Sequence, residues 1–166
     1  MTPVRERFAV MPGADLPMPA HAYIPGKTRR HGESAFDAVK ALAPEVTRDA
    51  DAASNIAWNH GLRLLNSGFY WEAHEVLETV WMAAPANSRE RYLVQAVIQL
   101  ANAALKRRMG KEKAAMRIAG LAKEAAQRAF AGRDTVMGIG RDELEAGCNS
   151  VTGSASTLSI STFYEL

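Results

Sequence analysis

The sequence has little of what would mark a secreted or membrane protein. Its 166 residues contain one cysteine, Cys148, so no disulfide bond can form within the chain. No apolar run approaches the roughly 20 residues that a helix needs to cross a bilayer. The N-terminus also lacks the charged start and apolar stretch of a secretory signal. We therefore expect a cytoplasmic protein with no membrane partner.

The charge is too balanced to identify a partner. Twenty Lys and Arg residues and eighteen Asp and Glu residues give a formal net charge of +2. Nucleic-acid-binding proteins usually carry a concentrated basic surface. The basic stretch LKRRMGKEK at residues 105–113 is more typical of a solvated helix end. We expect no nucleic-acid partner, and the sequence leaves open a small molecule, another protein or a homo-oligomer.

The distribution of proline and glycine divides the chain into three parts. Residues 1–33 carry most of the seven prolines and should form an extended arm, with a type II turn at YIPGK, residues 23–27. Residues 34–131 have a helical period, and residues 132–166 are rich in Gly, Ser and Thr. At this length we expect one domain, residues 1–166.

The alanine-rich middle of the chain predicts an all-α fold. Connections between its helices are short, which makes successive helices antiparallel neighbours. The expected fold is an up-and-down antiparallel helical bundle with an extended N-terminal arm and an irregular C-terminal tail. Helices are predicted at residues 34–44, 50–67, 70–84, 88–109 and 111–131, and a short one in the tail at residues 141–146.

The stretch GFYWEAHEVLETVW, residues 68–81, contains the main candidate site. On a helical wheel, His74 and Glu78 lie one turn apart beside the core-facing arc. Glu72 and Glu75 fall on the opposite face, which we expect to be exposed. Glu78 is therefore the predicted interior acid. The core arc itself consists of Ala73, Val76, Leu77 and Val80.

Tight antiparallel turns would bring polar residues of three helices to this pair. Across Gly68, positions whose numbers sum to about 137 should lie level, and across residues 85–88 the sum is about 173. We predict that the neighbouring pocket residues are Arg63, Asn66, Tyr70, Trp71, Trp81, Gln95, Gln99 and Asn102.

Each of these residues also has a structural explanation. A core histidine at position 74 can satisfy its ring nitrogens with Glu78, and a partly buried Glu78 can pair with Arg63. The stripe that contains Gln95 and Gln99 also resembles an ordinary solvent face. The two tryptophans can serve packing alone.

One functional hypothesis is a divalent metal site. The i, i+4 spacing of His74 and Glu78 puts a nitrogen and an oxygen ligand on one helix face, as zinc, iron or manganese would require. Two ligands do not complete a site. His60 is expected level with a core residue, so the ligand shell would be completed or oriented by an arm histidine, His21 or His31, or by Gln95 or Gln99.

The competing hypothesis is a non-enzymatic module with a structural His/Glu pair. GFYWEAHEVLETVWMAAP follows the tetratricopeptide pattern at Gly68, Tyr70, Ala73 and Pro85. The pattern does not recur 34 residues later, where Asn102 stands, so a peptide-binding array is not expected. A single interaction module or a small-ligand-binding pocket remains as the alternative.

The sequence also resembles a known family. NSGFYWEAHEVLETVW followed by LVQAVIQLANAALKRRMG is similar to a bacterial and archaeal family of domains of unknown function, whose hallmark H-x-x-x-E-x-x-W is here His74, Glu78 and Trp81. The resemblance implies an all-helical bundle with a metal site, for which a metal-dependent hydrolase activity has been suggested. His74 and Glu78 would then bind the ion, and bound water would be the nucleophile.

Overall fold

The fold is helical, as the sequence predicts. The computed structural model describes residues 16–153 and residue 160, so the outer parts of the predicted arm and tail lie outside the described residues. The helices are α1 (Asp37–Lys40), α2 (Ile56–Asn66), α3 (Tyr70–Met82), α4 (Arg89–Arg108), α5 (Glu112–Ala129) and α6 (Arg141–Thr152). A 3-10 helix (Asp49–Ser54) precedes α2, and strands β1 (Thr135–Val136) and β2 (Ile139–Gly140) form an antiparallel hairpin before α6.

Two helices end at glycines because their last carbonyl groups need N–H donors from a left-handed turn. After α2, Gly68 has φ +83°, and the N–H of Phe69 donates to the carbonyl of Leu64 at 2.9 Å. After α4, Gly110 has φ +77°, and the N–H of Lys111 donates to the carbonyl of Lys106 at 2.9 Å. Both are Schellman motifs, and they reverse the chain within a few residues.

Side chains cap the starts of α2 and α4, the helices before and after α3. The Asn55 side chain accepts from the N–H of Trp58 at 3.0 Å at the start of α2. The Ser88 hydroxyl accepts from the N–H of Arg91 at 3.1 Å at the start of α4. These caps satisfy N–H groups that have no partner within the helix, so both boundaries are set by local sequence.

The α2 and α3 pair has nearly the predicted register. A Cβ atom added to Gly61 would lie 2.4 Å from Leu77 Cδ2, so the two backbones approach closely at this level. The prediction put residue 60 level with Leu77, which is one position away. Gly61 is therefore required for contact between the two helices, since any larger side chain would collide with Leu77.

The core extends from α2 to α6. Trp58 is fully buried, and its indole N–H donates to the carbonyl of Met137 at 3.3 Å, which ties the hairpin to the bundle. The α4 and α5 pair packs through small side chains, which allow two helices to approach closely. The buried alanines of these two helices are Ala96, Ala101, Ala103, Ala104, Ala115, Ala119, Ala122, Ala125 and Ala129.

Three elements differ from the sequence prediction. The helix expected at 34–44 contains only Asp37–Lys40, and the one expected at 50–67 is divided because Asn55 is extended, with φ −80° and ψ 98°. The tail is more regular than expected: α6 has 12 residues instead of the predicted six at 141–146. Its buried side chains Leu144, Cys148 and Val151 attach it to the core.

The arm contains the predicted turn and crosses the bundle without forming a helix. The N–H of Lys27 donates to the carbonyl of Ile24 at 2.9 Å, and Gly26 has φ +79°, as a type II turn requires at its third residue. From residue 16 to the start of α1 the described arm has no helix or strand. Among residues 16–153 and 160, no helix is both long and apolar enough to cross a membrane.

Candidate functional site

The three glutamates of α3 have very different environments, and the predicted assignment is wrong. Glu72, expected on the exposed face, has 0% exposed surface. Glu78, expected in the interior, is exposed, and Glu75 is half-buried. The reason is the arm, which covers the face of α3 that points away from the other helices. A helical wheel that considers only helix packing cannot show this.

Glu72 is held by two donors from the arm. His31 Nε2 lies 2.8 Å from Glu72 Oε1, and the backbone N–H of Tyr23 donates to the same oxygen at 2.5 Å. Because a carboxylate can only accept, the imidazole donates its Nε2–H. Glu72 Oε2 is buried and has no hydrogen-bond partner among the described residues. Such an atom in a native structure needs an explanation, and a bound ligand or water is one.

Aromatic rings fix the orientation of the His31 imidazole. The ring stacks on His21 with centroids 4.5 Å apart, and it meets Phe36 edge-on at 5.4 Å. Trp71 lies 6.0 Å away in a nearly parallel orientation and also contacts Tyr23 edge-on at 5.1 Å. Edge-on and offset contacts are the favourable geometries for aromatic pairs. The His31–Glu72 pair, which we call the dyad, is therefore enclosed on several sides.

A cavity of about 230 Å³ adjoins the dyad. Among the described residues, His31 and His60 contribute polar side chains, and the other lining residues are Leu16, Pro17, Met18, Pro19, Ala35, Phe36, Ala38 and Val39. His60 comes from α2, and the rest come from the arm and α1. The cavity thus exists only because the arm folds over the start of the bundle.

His60 is a second polar group with an unusual environment. It is 3% exposed, and its Nδ1 is buried without a hydrogen-bond partner in the part of the chain that the structure describes. Burial, and to a lesser extent the nearby positive charge of Arg63, lower the pKa of His60 from 6.5 to about 4. His60 is consequently a neutral imidazole at neutral pH.

The predicted metal ligands His74 and Glu78 do not form a pocket with the polar stripe. His74 is half-buried, and neither side chain has a hydrogen bond to any described residue. Within residues 16–153 and 160, no group of three or more His, Cys, Asp or Glu side chains is close enough to hold a metal ion. An arm histidine does fold over α3, as the metal hypothesis required, but it contacts Glu72.

The predicted pocket residues of α2 and early α3 have separate roles. Arg63 donates to the carbonyl of Leu16 at 3.0 Å and so helps to hold the arm. The Asn66 side chain exchanges two hydrogen bonds with the backbone of Ile160. Tyr70 packs under the guanidinium of Arg108 at 4.3 Å. Of the predicted pocket set, only Trp71 contacts the dyad.

The remaining predicted pocket residues lie elsewhere. Trp81 packs against the guanidinium of Arg91 at 4.0 Å. Gln95 and Gln99 line a different cavity, of about 190 Å³, together with residues of α5. Asn102 is half-buried on the same helix. The amide stripe therefore faces α5, and the polar residues of three helices do not converge at His74.

Comparison with known families agrees with the helical core. Residues 58–118 match the family model described as Domain of unknown function (DUF309). No curated protein and no solved structure shows significant similarity to the chain. The DUF309 match contains His60 and Glu72, as well as His74 and Glu78, but it does not reach the arm. The dyad therefore joins a residue of the DUF309 segment to His31, which lies outside it.

Proposed function

We propose that the arm-covered cavity is the active site of a small-molecule hydrolase, in which the dyad activates a water molecule. The observation that carries the proposal is the fully buried Glu72, paired at 2.8 Å with the His31 imidazole that lines the cavity. A buried acid paired with an imidazole at the wall of a cavity is a recurring catalytic arrangement.

The chemistry follows from the tautomer of His31. Glu72 accepts the Nε2–H, so Nδ1 carries the lone pair of the neutral imidazole. The carboxylate orients the ring and stabilises the positive charge that develops when Nδ1 takes a proton from water. A positioned base of this kind contributes about 100-fold to 10,000-fold to a reaction rate. The surrounding rings limit movement of the imidazole.

A metal ion at the dyad is a competing arrangement. Two tetrahedral ligands that each lie about 2.0 to 2.1 Å from zinc are about 3.3 Å apart, so His31 Nε2 and Glu72 Oε1, at 2.8 Å, would have to separate slightly to bind the ion. The dyad supplies two donors, however, and the described residues bring no third His, Cys, Asp or Glu side chain into a suitable position. We therefore assign water activation to the imidazole. Elemental analysis for zinc, iron or manganese tests the metal alternative.

Hydrolysis of p-nitrophenyl acetate tests the proposal. The dyad variants His31→Gln and Glu72→Gln should each lower kcat/KM at least about 100-fold. The matched controls His74→Gln and Glu78→Gln come from the same helical region and should stay within about 2-fold of the parent. Circular dichroism would confirm that every variant is folded. Retained activity in both dyad variants, or equal losses in the controls, would overturn the assignment.

Elemental analysis of the same proteins separates the two metal hypotheses from the imidazole mechanism. A stoichiometric metal that is lost in Glu72→Gln and retained in His74→Gln would place an ion at the dyad. The opposite pattern would support the ligands predicted from the sequence, His74 and Glu78. Protein without bound metal that still hydrolyses the ester would support the imidazole mechanism.

A further inference from the structure

We infer that the cavity takes a compact, uncharged carbonyl compound, an ester or an amide, whose oxygen accepts a hydrogen bond from His60. This inference rests on the proposed function, because it names the substrate class of the same site. Three observations carry it: the uncharged lining of the cavity, the unpartnered Nδ1 of His60, and the size of the cavity.

The described lining offers no counter-charge to an ion. Its described residues are apolar side chains and two histidines, with no Lys, Arg, Asp or Glu among them. An ion of either sign would leave water for these apolar surroundings without a counter-charge from the described lining, and burying an unpaired charge is costly. A neutral ligand avoids that cost.

His60 supplies the polar contact that an uncharged ligand needs. Its Nδ1 is buried and unpartnered among the described residues, and a buried ring nitrogen without a partner is unfavourable. The imidazole stays neutral at neutral pH because burial and the charge of Arg63 lower its pKa to about 4. A neutral imidazole with its proton on Nδ1 donates to a carbonyl oxygen and polarises it. His31 and His60 line one cavity, so the activated water and the polarised carbonyl share that space.

The volume of the cavity, about 230 Å³, favours a small ligand. Pockets for drug-sized ligands begin at about 300 Å³. An acetyl group joined to one aromatic ring matches these dimensions and the apolar walls formed by Phe36, Val39 and the arm.

Two probes of similar size separate the neutral from the anionic class. Acetanilide is a neutral amide and benzoate is a carboxylate. Titration of the full chain, followed by the ring ¹⁵N resonances of His60 with those of His74 as internal control, should show saturable shifts of His60 with acetanilide. Benzoate should bind at least about 10-fold more weakly. Equal or tighter binding of benzoate, or the absence of any His60 response to acetanilide, would overturn the inference.

Variants of His60 test the hydrogen bond. His60→Leu removes the donor and should weaken acetanilide binding about 10-fold or more. His60→Asn places an amide N–H near the position of Nδ1 and should restore most of the affinity. A merely structural role for His60 predicts no such rescue, so equal affinities in the two variants would contradict the donor role.

Failure of this inference can be distinguished from failure of the proposed function. If acetanilide binding depends on His60 but no ester is hydrolysed, the ligand class stands and the hydrolase proposal fails. If p-nitrophenyl phosphate is hydrolysed in preference to p-nitrophenyl acetate, with loss of activity in His31→Gln, the hydrolase proposal stands and the neutral ligand class fails.

Discussion

Two faces of α3 carry potential catalytic groups, and only one of them is enclosed. The face under the arm holds Glu72, which is fully buried and bound to His31. The other face holds half-buried His74 and exposed Glu78. Residue type does not distinguish the faces, because both carry a glutamate. The difference shows that a segment without helix or strand determines which acid of the helix becomes a desolvated, hydrogen-bonded group.

The largest difference in stability between the two faces is expected when Glu72 and Glu78 are each replaced by alanine. Glu72→Ala leaves the N–H groups of His31 and Tyr23 without their acceptor and creates a cavity, so we expect it to lower the free energy of unfolding by about 2 to 4 kcal/mol. Glu78→Ala should change it by less than about 0.5 kcal/mol. Urea denaturation of both variants provides the measurement, and similar losses would show that the two faces are equivalent.

The pH dependence of stability provides a second test, because His60 is buried and His74 is half-buried. The pKa of His60 is about 4 in the folded chain and 6.5 ordinarily, so protons bind the unfolded state more tightly. Its contribution to stability is fully present above pH 6.5 and is lost as the pH falls toward 4, by about 2 to 3 kcal/mol. The free energy of unfolding of the parent should therefore fall relative to that of His60→Asn as the pH decreases over this range.

A control for this pH effect comes from the other face. His74 is half-buried on that face, and His74→Asn is the matched substitution there. Denaturation curves at several pH values between 4 and 7.5 would measure all three proteins. Parallel profiles for the parent and His60→Asn would show that His60 is not the group that burial keeps neutral.

A third face of α3 packs on α2, and replacement of a glycine by alanine tests this contact. Gly61→Ala places a Cβ atom 2.4 Å from Leu77 Cδ2 and should destabilise the protein by about 1 to 3 kcal/mol. Gly120 is also in a helix interior, but a Cβ atom there meets nothing within 4 Å. Gly120→Ala should stabilise by about 0.5 to 1 kcal/mol. Thermal unfolding should therefore shift in opposite directions, and a shift of the same sign would contradict the close approach of the two helices.

Much of the fold could be predicted because its signals are local. Gly68 and Gly110 end helices through hydrogen bonds within six residues, and Ser88 caps a helix within three. The full length of α6 was missed, although Leu144, Cys148 and Val151 have the spacing of a helix face. Glycine, serine and threonine around them obscured that period.

The site was less predictable because its contacts are distant in sequence. His31 and Tyr23 reach Glu72 across 41 and 49 residues. The path of an arm without helical or strand periodicity depends on such contacts, and no local rule specifies it. The same limit explains His60, which the predicted register placed level with the core residue Leu77. The cavity beside it forms only when the arm and α1 are in place.

The smallest expected effect is the coupling energy between Lys40 and Glu75, which can be compared with that of the His31–Glu72 dyad. Lys40 Nζ lies 3.2 Å from Glu75 Oε2, and about 30% of each side chain is exposed. A double-mutant cycle with Lys40→Met and Glu75→Gln should give a coupling energy below about 1 kcal/mol, because water screens a partly exposed pair. At 1 M NaCl, where the screening length is about 3 Å, the coupling should approach zero. The equivalent cycle with His31→Gln and Glu72→Gln should give a larger value that salt changes little. If both couplings disappear in salt, the arm does not shield Glu72 from solvent any better than it shields Glu75, and the dyad is not the desolvated pair that the proposal requires.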